Sequence, residues 1–582
     1  MRRAVGTSFT LDLMALLTAP LAFTFFDAHD ENGAPLADPV ALLEALRRHA
    51  ENVTLFCQAG AISVPSPDQT LLAYLERSVI EVKPEAEGGI FHPKVWVLDF
   101  ESEKRPAIYR VLCLSRNLTF ARSWDTCVSL EGELKEEGDY PRNEPFADLL
   151  LQLPRLAIRE TRPELREDLK RMADEIRRVD FKTPRPFADF KVHSFGLNGS
   201  HLWPFPKAGR SLVISPFLSG STVRGLVREH GLEVLISRPE ALADVVRRVG
   251  RDALPRTCYV LSPGAGLDAR DAEEGEEQAD GPPRAAFHGN VEVLVELVGR
   301  SKDCGIDALL GLEEDPKLET LRSLLHEYHP EPPPECTETE PCKELEREAD
   351  QLARLLAAVP YTATAQHVDS EQLWDITLSG ELPELPDGPK VKVWPATLPS
   401  MAALRIDGIG EALHEPVDPA EPTDAIVTFK RMSFEALTGF FAFEVSLQKE
   451  QCEVRHRFAV TAELVGVPEN RKERLLRSLL QDRRRVLQLL FLILMGEGAD
   501  ALTFLQAERR DGMTAQGPFG GWGQGTLLEA LLRTLSRNPR QIDDVARLIS
   551  DLERTPEGKE LLPKGLSEIW EPVWAAREAL RS

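Results

Sequence analysis

Along the first 140 residues, short apolar runs alternate with stretches in which leucines recur at helical spacing. Residues 53–57, 79–82, 94–100 and 108–114 are β-branched or aromatic runs bounded by charge, and the pattern predicts four strands. Residues 39–50 carry Leu42, Leu43 and Leu46 on one helical face, and 69–77 predict a second helix. The apolar stretch 11–26 predicts a helix followed by a buried strand over 21–26. Asp12 and Pro20 interrupt it and no small-x-small site closes it, which argues against a secretory signal. Residues 1–140 thus predict an α/β lobe with a mixed or parallel sheet.

From 141 to 190 the chain is polar, with Arg155, Arg159, Arg162, Arg166, Arg171, Arg177 and Arg178 alternating with acids, and it predicts solvated connecting helices. A second α/β pattern fills 191–328. Strands are predicted at 211–215, 232–237, 257–261 and 291–297, with helices at 222–229 and 239–249. The order repeats that of the first lobe: 53–57 corresponds to 232–237 and 79–82 to 257–261. Phe91-His92-Pro93-Lys94-Val95 corresponds to Phe287-His288-Gly289-Asn290-Val291. Internal duplication is the simplest reading. The copies differ at 264–284, rich in Gly, Ala and acid (Asp268, Asp271, Glu273, Glu274, Glu276, Glu277, Asp280), which predicts a mobile loop.

Residues 330–341 read as a Pro/Glu linker and 342–358 as a helix, opening a module (329–466) with strands at 375–378, 391–394, 425–429, 440–447 and 454–464. Residues 467–582 read as helical, and no chemical motif stands out in this C-terminal half. Length agrees with this division, since 582 residues allow about three or four domains.

Composition changes the picture in two ways. Lys plus Arg total 69 against 94 Asp plus Glu, a net charge of −25, which argues against a protein that coats nucleic acid with its whole surface while leaving room for a local basic cleft. The eight cysteines are spread thinly and several sit in apolar runs, as at Cys57 and Cys113, which predicts buried thiols in a reducing, cytoplasmic setting. Cys336 and Cys342 lack a second pair at zinc spacing. The apolar run 486–495 is far shorter than the roughly 18 residues a membrane span needs.

Chemistry concentrates at His92 and Lys94, two apart on an extended segment and so on one face, followed by Asp99 and, after the next strand, Ser115 and Asn117. A hairpin between 94–100 and 108–114 brings a nucleophile, a cation and hydrogen-bond donors together. An imidazole can take up a phosphoryl group covalently while Lys and Asn stabilise charge on the non-bridging oxygens, and no metal or other cofactor is required.

These residues resemble the phospholipase D superfamily, whose signature is His-x-Lys, four residues, Asp, then a strand and Gly-Ser-x-Asn. The likeness spans about residues 8–315 and departs at Leu114, where Gly is usual. The resemblance implies duplicated phospholipase D-like lobes forming a pseudo-dimer, mixed sheets flanked by helices, then a β-rich and a helical module. It implies that His92 is the nucleophile, that Lys94 and Asn117 bind phosphate with Ser115 in support, and that Asp99 is a local structural acid. An acid after the Asn orients the histidine in the family; Asp125 is nearest, with Cys127 or Ser129 at the strict position.

The family joins two such motifs, one histidine attacking and one protonating the leaving oxygen. In the second lobe His288 matches His92, but Asn290 and Val295 replace Lys94 and Asp99, and Glu313 and Asp315 stand where Ser115 and Asn117 do. Three outcomes stay open: one site from His92 and His288, a homo-oligomer pairing two His92, or lost turnover with phosphate recognition kept. The expected activity is a metal-independent phosphodiesterase, a nuclease on DNA or RNA rather than a lipase. The alternative is an inactive nucleic-acid-binding or scaffold subunit. The resemblance further implies a helicase or ATPase partner in bacterial antiphage defence. The acidic 264–284 run is expected to shield the cleft.

Weaker signals remain. His326-Glu327-Tyr328-His329 is one residue short of a zinc-protease motif and reads as structural. The Gly-rich run 519–525 lacks the Lys of a phosphate loop and reads as a turn. Arg471, Lys472, Arg474, Arg477, Arg483, Arg484 and Arg485 on the predicted helix 470–485 form the best local basic patch, a candidate nucleic-acid or partner contact.

Overall fold

The computed structural model describes residues 1–17, 50–67, 70–86, 88–101, 106–120, 125–197, 207–262, 290–311, 320–329, 340–368, 373–383, 388–406, 425–449 and 452–468. Beyond these it describes 471, 474–476, 486, 490, 524–537, 539–553, 556–563 and 566–580. The expected helix 39–49, strand 21–26, linker 330–339, acidic loop 264–284 and Gly-rich run 519–523 lie outside the described residues, as do His288, Glu313 and Asp315.

The chain is a mixed α/β protein. Its largest sheet has seven strands in the order β3-β2-β1-β4-β5-β6-β7. These are β1 (Arg3–Ser8), β2 (Val53–Gln58), β3 (Val79–Val82), β4 (Val95–Phe100), β5 (Ile108–Leu114), β6 (Cys127–Leu134) and β7 (Val179–Lys182). β1, β2 and β3 run parallel, and β4 to β7 are antiparallel neighbours. β2 is buried at every position because both faces of the sheet are covered.

One cover comes from helices Glu144–Leu156 and Pro163–Ile176, which bury Phe146, Leu150, Leu153, Leu169 and Met172 against Val5, Phe56, Val95 and Val97. This corrects the expectation of solvated connecting helices. Arg155, Arg162 and Arg166 are exposed, but leucines at helical spacing form an apolar stripe that belongs to the first lobe, and β7 joins its sheet. Residues 13–17 are helical as expected, and β1, which precedes them, is an interior strand that the sequence pattern passed over. The expected helix 69–77 is a 3-10 turn over Thr70–Tyr74.

The second lobe holds β9 (Ser211–Ile214), β10 (Leu232–Ile236) and β11 (Thr257–Leu261) in parallel, with β13 (Leu325–Glu327) antiparallel on β11. Helices Gly220–Glu229 and Pro239–Val249 stand at the expected places. This trio is parallel like β1 to β3, and the expected repeat fails beyond it. β12 (Glu292–Val298), the counterpart of β4, pairs with β8 (Asp189–Phe195) in a separate ribbon. That ribbon packs Phe190, Val192, Val293, Val295 and Leu297 onto the first lobe's core. The apolar run after β12 is a short helix, Ile306–Leu310, rather than a strand matching β5.

Helix Glu340–Ala357 leads into two four-stranded sheets: β14 (Thr362–Val368), β15 (Leu373–Ser379), β18 (Ala425–Ser433) and β21 (Glu463–Val465) in one, and β16 (Lys390–Pro395), β17 (Leu404–Arg405), β19 (Phe440–Lys449) and β20 (Cys452–Thr461) in the other. This β-rich unit packs Ala396, Phe440 and Ala459 against Leu11, Leu16, Leu55 and Leu72 of the first lobe. Cys342 and Cys452 form a disulfide, which corrects the expectation of free thiols throughout; Cys57, Cys113, Cys127, Cys258 and Cys304 are free. Helices Gln524–Arg537, Pro539–Glu553 and Leu566–Ala579 share a core with Val486 and Leu490. No described helix is long and apolar enough to cross a membrane.

Candidate functional site

His92 lies just before β4, at a place where the two lobes touch. Phe91 pairs with Val291 in a parallel bridge, the His92 N–H donates to the Val291 carbonyl at 2.9 Å, and the Val291 N–H donates to the Ile90 carbonyl at 2.9 Å. Residues 290–292 of lobe two are therefore built into the surroundings of His92. Asn290, which replaces the motif lysine, is 3% exposed and accepts from the Ile90 N–H through Oδ1 at 3.2 Å. Its backbone approaches Gly196 so closely that a Cβ there would stand 2.2 Å from the Asn290 oxygen, and Gly196 has φ +70.

The His92 ring sits between two charged groups. Nδ1 is 3.0 Å from Glu292 Oε1 and 3.1 Å from Oε2; Nε2 is 2.7 Å from Lys94 Nζ. A carboxylate only accepts and an ammonium only donates, so the neutral ring carries its proton on Nδ1 and presents a lone pair at Nε2. Phe9 packs against the ring at 5.4 Å between centroids. Lys94 is 7% exposed and also donates to the His92 carbonyl at 3.3 Å.

Further side chains hold the backbone on either side. Gln58 Oε1 accepts from the Phe91 N–H at 2.7 Å, and Thr7 Oγ1 accepts from the Val95 N–H at 2.9 Å. The thiol of Cys113, on β5, is pushed up to about 11 by burial first and Cys127 second, with Lys94 opposing and Glu292 reinforcing. It stays protonated at neutral pH and does not compete as a nucleophile.

Ser115 and Asn117 follow β5 as expected. Asp125 Oδ1 accepts from the Ser115 N–H (3.0 Å), Ser115 Oγ (2.6 Å) and the Arg116 N–H (3.1 Å), and Ser115 Oγ accepts from the Thr126 N–H at 2.9 Å. Asp125 thus fastens the turn, and the acid on His92 Nδ1 is Glu292 from the other lobe. The Leu114 departure costs nothing in backbone conformation. Leu114 ends β5 opposite Cys127, and among the described residues the positive-φ non-glycine is Arg431. Asn117 Oδ1 accepts from the Phe9 N–H at 3.2 Å, which fixes the amide against the end of β1.

Asp99 is fully buried, with Oδ2 2.6 Å from Arg2 Nε and 3.0 Å from Arg171 Nη1. Glu175 closes the network, accepting from Arg2 at 2.6 Å, from Arg171 at 3.0 Å and from the Tyr109 hydroxyl. Burial and the neighbouring acids raise the Tyr109 phenol above its ordinary range. Asp99 therefore ties β4 to helix Pro163–Ile176.

Glu292 is the functional candidate that sequence reading missed. Its signal was an acid opening a mostly apolar strand, four residues after His288. Among the described residues no group of three or more His, Cys, Asp or Glu is placed to hold a metal ion. His326 lies on β13 and is exposed. Of the basic patch, Arg471 is 7% exposed and forks onto Glu76 and the Leu437 carbonyl, and Arg474 lies over the Phe434 ring at 3.7 Å. Both serve the interior; Lys472, Arg477, Arg483, Arg484 and Arg485 lie outside the residues whose side chains are described.

No family model matches the chain. No curated protein matches it either. Among solved structures, a crystal structure of a yeast tyrosyl-DNA phosphodiesterase mutant aligns with a TM-score of 0.27 and 11% identity, covering 45% of this chain and 68% of that one. An overlap of that size does not establish a shared fold.

Proposed function

We propose that this chain is a metal-independent phosphodiesterase that works through a phosphohistidine on His92, with nucleic acid as the substrate. One observation carries the reading: the imidazole is held between a carboxylate on Nδ1 and an ammonium on Nε2, so its lone pair and a cation converge on one point. A phosphate entering there takes over the Lys94 hydrogen bond through a non-bridging oxygen and frees Nε2 to attack. The P–N bond forms as the P–O bond to the leaving group breaks, and Glu292 stabilises the imidazolium. Asn117 supplies a further donor through its amide nitrogen, Ser115 supports the turn with its hydroxyl proton committed to Asp125, and Asp99 holds β4.

The leaving oxygen needs a proton, and the reading assigns it to His288, four residues before Glu292 in the chain. Water then attacks phosphorus, its proton passes back to His288, and the P–N bond breaks. The duplicated lobes act here as one site, with the second supplying support and an acid rather than a second phosphate cradle.

The test is hydrolysis of a single-stranded oligonucleotide in EDTA by wild type, His92→Ala and His288→Ala. We expect EDTA-resistant cleavage, abolished by His92→Ala, with a 32P-labelled enzyme intermediate trapped by acid quench. Binding without cleavage in wild type would instead support a nucleic-acid-binding scaffold.

A further inference from the structure

Both halves of the motif lead back to one short stretch, residues 58–63, and from there to the β-rich unit. On one side, Gln58 is 3% exposed and holds the Phe91 N–H, the residue before His92, at 2.7 Å. On the other, the Leu11 N–H donates to the Ala61 carbonyl at 2.9 Å and the Ser63 N–H to the Leu11 carbonyl at 2.8 Å. Leu11 bridges Leu118, and the Asp12 N–H donates to the Leu118 carbonyl at 3.0 Å, one residue from Asn117. His92 and Asn117 are therefore positioned from the same turn.

That turn is held from outside the lobe. The Ala459 N–H on β20 donates to the Ile62 carbonyl at 2.8 Å. Glu81, at the end of β3, accepts from the Gly60 N–H at 3.4 Å and, across the boundary, from the Thr461 N–H at 2.7 Å and Thr461 Oγ1 at 3.0 Å. Arg159 donates to the same Thr461 hydroxyl, which leaves the hydroxyl proton for Glu81. Gly60 has φ +76, and a Cβ there would stand 3.2 Å from the Ala353 carbonyl of helix Glu340–Ala357. The β-rich unit thus grips the turn by strand, carboxylate and helix together.

We propose that the turn 58–63 couples the β-rich unit to the phosphodiesterase site, with Gln58 and Thr461 as positioning residues for His92 and Asn117. This rests on the reading of His92 as the reacting group. Neither residue touches the reacting atoms; each acts by fixing backbone that carries them, and a small displacement of oriented groups lowers turnover without weakening phosphate binding.

The experiment uses the full chain and a single-stranded oligonucleotide in EDTA. Gln58→Leu and Thr461→Val are expected to lower kcat about tenfold with KM within about twofold of wild type. Thr461→Ser, which keeps the hydroxyl, should restore kcat, and Lys392→Gln, on an exposed face of the same unit, should match wild type. In parallel, the His92 ring resonances, assigned by their loss in His92→Ala, should move in Gln58→Leu and Thr461→Val and return in Thr461→Ser. If Thr461→Val does not fold, Glu81→Gln serves as the milder lesion of the same contact.

Folded variants with wild-type kcat and unmoved His92 resonances would overturn the coupling. A wild type that cleaves nothing overturns the phosphodiesterase reading instead, and the ring resonances then decide the coupling alone.

Discussion

The two lobes share a parallel trio of strands and part company after it. In the first, β4 continues the sheet on β1, helices and the β-rich unit cover its two faces, and the strands are buried. In the second, β9 is at most half-buried, the counterpart strand β12 has left for a ribbon on the first lobe, and the two small cores draw only on residues 212–328. The lobe that carries His92 and Lys94 has the covered frame; the other places its strand β12 against that frame. A site needs its reacting groups held to a fraction of an ångström, and a covered sheet supplies that where a thin one does not. At the positions aligned with Lys94 and Asp99, Asn290 holds the Ile90 N–H and Val295 packs in the shared core.

The sharpest break in this comparison would come from the acid on His92. Glu292→Gln should lower kcat by about a hundredfold or more, because it removes the charge that fixes the ring proton on Nδ1 and stabilises the imidazolium. Asp125→Asn should cost less, as it loosens the Ser115 turn and leaves the histidine in place. If Asp125 proved the more damaging, the second lobe would not be the source of the orienting charge.

Stability supplies the next contrast. Asp99→Asn should destabilise by about 3 kcal/mol in denaturant melts, since it strips Arg2 and Arg171 of the buried carboxylate they share. Val295→Ala, at the aligned position of β12, should cost about 1 kcal/mol, as half-buried apolar packing does. Equal losses would mean that the ion network is not what makes the first lobe rigid.

Much of this was legible along the chain. Strands β2 to β5 and the trio β9 to β11 announced themselves as apolar runs between charges, and the His92-Lys94-Ser115-Asn117 set by its spacing. β1 hid because Arg, Thr and Ser stand at its ends and a glycine at its centre. Gly6 is there for close packing, since a Cβ would stand 2.7 Å from Leu55 and 2.9 Å from Trp96. The buried faces of helices Glu144–Leu156 and Pro163–Ile176 hid behind their arginines. Glu292 was out of reach because its role depends on a strand leaving its own sheet, which periodicity within one strand does not encode.

The first lobe's bond to the β-rich unit carries a pH signature at Glu81. Burial raises Glu81 from its ordinary 4.5 to about 7, outweighing the Thr461 and Gly60 hydrogen bonds and the nearby Arg159. The folded chain binds the proton more tightly than the unfolded one, so the stability from this group is full below about pH 4.5. It is lost as pH rises through 7, a change of about 3 kcal/mol. In the difference between wild-type and Glu81→Gln melts, other acids cancel, and the difference should grow against wild type between those two pH values. A flat difference would show that the carboxylate is as well solvated folded as unfolded.

A smaller effect than at Glu81 is expected at the Cys342–Cys452 disulfide, 110 residues apart in sequence and invisible to spacing arguments. It anchors the start of helix Glu340–Ala357 to β20, while the end of that helix packs on the Gly60 turn. Cys452→Ser should lower stability by about 2 kcal/mol, mostly by releasing a constraint on the unfolded chain. Hydrogen exchange separates that global effect from a local one. If the helix helps brace the first lobe, amides of residues 58–63 should lose protection beyond the global change, while those of β10 and β11 should follow the global change alone. Uniform loss in both would place the brace elsewhere and reduce the two lobes to equals in their dependence on the β-rich unit.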